Sequence, residues 1–150
     1  PGGNFHDFGR ASGSSSDSDM GIIIPARGYL LMLMQWNEPF SAPASDYDLA
    51  LFDAQGQIVN GSFENQADPG AQPFEGFCAY NPNYYDLVQW LAVDKYSGAN
   101  KRLEMFNLSS SAQEYEIASG SVFGHAGVPS VLAVGSINAN DSGHNTIAYY

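Results

Sequence analysis

Apolar residues along this chain fall in short runs cut by turn-forming residues, and most runs alternate with polar ones. Gly21-Ile22-Ile23-Ile24 is a β-branched run that stops at Pro25. Ala26-Arg27-Gly28 turns the chain into residues 29–36, the strongest apolar run, which Pro39 ends; its length and flanking turns predict a buried strand. Residues 46–53 alternate with period two, Tyr47, Leu49 and Leu51 on one face and Asp46, Asp48 and Ala50 on the other, which predicts a half-buried strand. Asp53-Ala54-Gln55-Gly56 has the composition of a hairpin turn into Ile58 and Val59.

Beyond the loop at 65–72, residues 73–80 predict a strand carrying Phe74 and Phe77. Asn81-Pro82-Asn83 is a turn. Residues 84–96 predict a long strand, with Val88, Trp90 and Ala92 on one face and Leu87, Leu91 and Val93 on the other. Ser97-Gly98-Ala99-Asn100 then turns into a further strand at 101–108. Turn signals recur at the short, regular spacing of an antiparallel β-sandwich. The tail breaks this rhythm. Residues 109–124 are polar, and Val131-Leu132-Ala133-Val134 is wholly apolar, as in a strand covered on both faces within a parallel sheet. A boundary is therefore expected near Ala118, with residues 1–118 forming the sandwich and 119–150 belonging to a different structure.

Composition narrows the function. A chain of 150 residues is long enough for a real core, and its 16 Gly and 8 Pro favour strands and turns over helices. A formal net charge of −11 with no basic stripe argues against nucleic acid and anionic membrane surfaces as partners. No apolar stretch approaches the ~18 residues of a membrane span. Cys78, the single cysteine, forbids an internal disulfide, and its neighbours Phe77 and Ala79 predict a buried thiol.

No catalytic set assembles from the sequence. His6, His125 and His144 sit in no nucleophile motif, and Ser121 is near His125 only in sequence. Asp17, Asp19, Asp46, Asp48 and Asp53 supply hard oxygen ligands, so Asp46, Asp48 and Asp53 are the calcium candidates, although Asp at strand ends is also ordinary. Trp36, Trp90, Tyr84, Tyr85 and Tyr96 are candidates for stacking on sugars or peptides, and serve equally well as core or cross-strand aromatics.

Two stretches resemble a known family. Gln35-Trp36-Asn37-Glu38-Pro39-Phe40, followed by Asp46-Tyr47-Asp48-Leu49-Ala50-Leu51-Phe52-Asp53-Ala54-Gln55-Gly56, is similar to β-sandwich segments inserted in bacterial subtilisin-like serine peptidases, and to pre-peptidase C-terminal domains. Residues 120–129 with Val131-Leu132-Ala133-Val134-Gly135-Ser136-Ile137 resemble the stretch where such a chain re-enters the catalytic α/β domain. The resemblance implies a jelly-roll-like module, and nothing here matches the family's catalytic Asp, His and Ser motifs. Pro1 without a preceding Met, and the apolar end at Tyr150, read as cut ends. What the resemblance implies is an accessory, non-catalytic domain of a secreted peptidase. Its implied partners are the parent's catalytic domain and a polypeptide substrate. A freestanding carbohydrate-binding jelly roll that uses Trp36 and Trp90 is the alternative. The apolar segment 131–137 also has to cover its faces, against the sandwich or in a dimer with a second copy.

Overall fold

The computed structural model describes residues 4–9 and 15–116, with 130, 142 and 143. The chain divides into two compact units, Pro1–Glu116 and Ile117–Tyr150. The first contains every described strand, so the strand expected at 131–137 lies outside the described residues.

Among the described residues, eight strands follow one another: β1 (Met20–Ile24), β2 (Tyr29–Trp36), β3 (Asp46–Phe52), β4 (Ile58–Ser62), β5 (Phe74–Tyr80), β6 (Leu87–Ser97), β7 (Leu103–Asn107) and β8 (Ala112–Gln113). They form a five-stranded sheet in the order β4-β3-β6-β1-β8 and a three-stranded sheet in the order β5-β2-β7. All pairings are antiparallel. The two sheets pack face to face as the all-β sandwich that the alternation predicts. Only β3 and β4 are joined as a hairpin within one sheet; every other connection carries the chain from one sheet to the other.

Alternation decides what each strand buries. Met20, Ile22 and Ile24 of β1, Tyr47, Leu49 and Leu51 of β3, and Leu91 and Val93 of β6 point inward from the larger sheet. They meet Leu30, Met32, Met34 and Trp36 of β2 and Phe77 and Ala79 of β5. Each such Ile, Leu or Met removed from water contributes about 1.5–3 kcal/mol. The β3–β4 turn closes as expected: Asp53 Oδ1 accepts the backbone N–H groups of Gln55 and Gln57, and Gly56 takes a φ of 72° that few other residues tolerate.

Four expectations change. Residues 29–36 are not buried on both sides, because Tyr29 is exposed and Leu31, Leu33 and Gln35 are only half-buried on an outer face. Cys78 is exposed, not buried: period two sends Phe77 and Ala79 inward and turns the thiol out. Tyr84 and Tyr85 precede β6 in a loop rather than lying in the strand. That loop is fixed by the fully buried Asn81, whose Nδ2 donates to the carbonyls of Ile24, Pro25 and Tyr85. Finally, the polar Ala112–Gln113 forms a short edge strand against Ile22 and Ile23, which no apolar pattern announced.

β6 is longer than the part of it that β1 covers. Its far end is paired instead by the N-terminal segment, in which the His6 N–H donates to the Val93 carbonyl (2.9 Å) and Phe5 bridges to Asp94. This places Phe5 beside the outer face of the larger sheet.

Candidate functional site

Outward residues of β3 and β6 face each other across the larger sheet: Asp48 opposite Asp94, Ala50 opposite Ala92, and Phe52 opposite Trp90. Trp90, Phe52 and Ala92 floor a cleft of about 450 Å³. The N-terminal side supplies Phe5, Ser18 and Asp19, and the β3–β4 turn supplies Asp53, Ala54 and Gly56. Three aromatic rings and two carboxylates thus line one cavity, with no Lys, Arg or His among the described lining residues. Burial pushes the Asp19 carboxyl above its ordinary range, and the neighbouring Asp17 and Glu114 add to the shift. These neighbours are held in place. Asp17 Oδ2 accepts the Tyr115 hydroxyl at 2.7 Å, and Glu114 Oε2 accepts the Gly21 N–H at 3.0 Å.

The sequence candidates do not converge on this cleft. Trp90 and Asp53 line it; Trp36, Tyr84 and Tyr85 do not. Trp36 is 3% exposed, packed at 5.1 Å between ring centres against Tyr47, so it serves the core and shows no face to a ligand. Tyr84 and Tyr85 are well exposed, and the Arg27 guanidinium lies over the Tyr84 ring at 3.9 Å.

The calcium candidates are likewise divided. Asp46 is buried and Asp48 half-buried on β3, whereas Asp53 Oδ1 is committed to the backbone of its own turn. Among the described residues, no group of three or more His, Cys, Asp or Glu is placed to hold a metal. The acidic neighbourhood instead leaves its mark on protonation. Burial, then Asp46, Glu75 and Asp94, raise Asp48 to about 6.

A second cleft of about 440 Å³ opens beside the far end of β6, lined by His6, Asp7, Tyr47, Lys95 and Lys101 among others. Its cations are already engaged: Lys101 Nζ sits 2.7 Å from Glu38 Oε1, and Lys95 Nζ donates to Asn100 Oδ1. Burial lowers the His6 pKa, partly offset by Asp7. Among the described residues, no Ser, Thr or Cys lines this cleft to act as its nucleophile. His125 and His144 lie outside the described residues.

Sequence reasoning missed one assembly. The residues that carry the resemblance are tied together at one corner. Glu38 Oε2 accepts the Trp36 indole N–H and the backbone N–H groups of Ala44 and Ser45, while Oε1 receives Lys101. The Tyr47 hydroxyl donates to the Ala99 carbonyl and accepts the Lys101 N–H. Gly98, at φ 85°, passes so close to Ser45 that a Cβ there would lie 2.6 Å from its Cα. Although burial alone would raise Glu38, hydrogen bonds from Lys101, Ala44, Ser45 and Trp36 outweigh it and hold the carboxyl at about 2. The Trp-x-Glu spacing and the later Asp-Tyr are the signal that was available.

A scan against models of known protein families and a search of curated proteins find no match to this chain.

Proposed function

We propose that this chain acts as an accessory, non-catalytic β-sandwich of a secreted subtilisin-like serine endopeptidase, bracing the catalytic domain and helping to hold polypeptide substrate. The parentage rests on the sequence resemblance at 35–56 and 120–137. The corner around Glu38 supports it by giving the resembling residues a common physical role. They fix two loops, β2–β3 and β6–β7, to the core, which is what a module-defining signature has to do.

One observation carries the bracing role. The outer face of the three-stranded sheet is apolar: Tyr29, Leu31 and Leu33 of β2, Phe74, Cys78 and Tyr80 of β5, and Phe106 of β7 share it. Its polar members Gln35 and Glu104 bond each other at 3.0 Å. A contiguous apolar face of this kind marks an interaction surface, and a covalently linked catalytic domain is the occupant that the resemblance names. The coding sequence on either side of this segment tests the parentage. Subtilisin-like Asp, His and Ser motifs flanking it are expected; a gene without them overturns the reading.

A further inference from the structure

The cleft on the larger sheet has a chemistry that the accessory role leaves unassigned. Its floor is aromatic, its rim is anionic, and its volume of about 450 Å³ falls within the usual range for ligand pockets, about 300–1,000 Å³. We propose that this cleft binds a lysine or arginine side chain of an extended polypeptide, with the aliphatic stem on Trp90 and Phe52 and the charged head at Asp19 and Asp53. The choice of a polypeptide rests on the accessory-domain reading; the choice of a cation rests on the cleft alone.

Three features favour a cation. The carboxylates of Asp19 and Asp53 meet no described positive charge in the lining, and Asp17 and Glu114 stand behind Asp19. A bound cation would relieve this uncompensated negative field, whereas a neutral sugar would leave it unchanged and an anion would be repelled. Second, Trp90, Phe52 and Phe5 line the cleft, and aromatic rings attract ammonium and guanidinium groups by their quadrupole. Third, Lys and Arg have long apolar stems that pack on such rings while the head stays with the carboxylates. The whole chain's charge of −11 adds long-range steering toward basic ligands.

NMR titration of the 150-residue chain provides the test, since its two tryptophans give separable indole N–H signals. The probes are a capped Gly-Arg-Gly-Lys-Gly peptide, its Glu-containing counterpart, and a neutral β-linked oligosaccharide. The basic peptide is expected to shift the Trp90 signal and leave that of Trp36, which is bonded to Glu38, in place. Added salt is expected to weaken binding. Trp90→Ala and Asp19→Asn are each expected to lower affinity on the order of tenfold, with unchanged circular dichroism. Asp19→Asn keeps the test valid if Trp90→Ala perturbs the fold. A Trp90 signal indifferent to the basic peptide, or one moved equally by the acidic peptide, overturns the proposal. So does a response to the oligosaccharide alone. These outcomes are independent of which motifs flank the segment, so failure here and failure of the parentage are distinguishable.

Discussion

On the three-stranded sheet the outward positions hold Tyr29, Leu31, Leu33, Phe74, Cys78, Tyr80 and Phe106, with Gln35 and Glu104 bonded to each other beside them. On the five-stranded sheet the outward positions of β3 and β6 are Asp48, Ala50, Phe52, Trp90, Ala92 and Asp94, walled by the N-terminal segment and the β3–β4 turn. Both faces are built on the same alternation over the same core. One is open and apolar, which suits a large rigid partner; the other is a walled cleft with carboxylates, which suits a small charged group. The walls of the cleft come from connections, the N-terminal segment and the β3–β4 turn, that fold up beside the outer surface of the larger sheet. On the proposed reading, the sandwich docks with one face and selects with the other without altering its core.

The two tryptophans give the sharpest way to break this contrast. Trp36→Ala removes a core ring and the donor to Glu38, and is expected to cost about 3–5 kcal/mol in chemical denaturation. Trp90→Ala, on the outer face, is expected to cost about 1 kcal/mol or less. Equal losses would mean that Trp90 belongs to the core and is not free to hold a ligand.

Acid titration probes the Glu38 corner next. Glu38 is held at about 2, below its usual 4.5, and its side chain is only 4% exposed. A depressed carboxyl stabilises the fold above its unfolded pKa, and that stability is lost as pH falls from about 4.5 toward 2. With allowance for solvent screening, the loss is about 2–3 kcal/mol. Glu38→Gln is expected to flatten this part of the stability–pH curve.

Asp48 has the opposite sign. Its pKa is raised to about 6, so its folded-state advantage is complete below pH 3.8 and is lost as pH rises through 6. Allowing for solvent screening, Asp48→Asn is expected to stabilise the protein at pH 7 by about 1 kcal/mol, and by nothing measurable near pH 3. The smallest expected effect is on the apolar face. Leu33→Lys should change stability by less than about 1 kcal/mol while weakening any docking there.

Much of this fold was legible in the sequence, for a definable reason. The two faces read for β3 and β6 are the faces the structure separates, with Tyr47, Leu49 and Leu51, and Leu91 and Val93, sealed by the core. Legibility failed where a long-range contact decided the outcome. Nothing local shows that Asn81 would hold Tyr84 and Tyr85 out of β6, or that Gln113 would pair with Ile22. Cys78 was misjudged because an apolar neighbourhood along the chain was read as burial, although period two separates adjacent residues. The cleft was half visible. Trp90 and Asp53 stood out by residue type, but only the fold brings Phe5 and Asp19, distant in sequence, to the same cavity.

Docking of the three-stranded face is the central claim, and Cys78, on its edge strand β5, is the one thiol in the chain. Its alkylation by a maleimide reports directly on whether that face is covered. Rapid labelling is predicted in the isolated 150-residue chain, with strong protection when the chain is joined to the catalytic domain of the proposed parent. Equally rapid labelling in both would contradict docking.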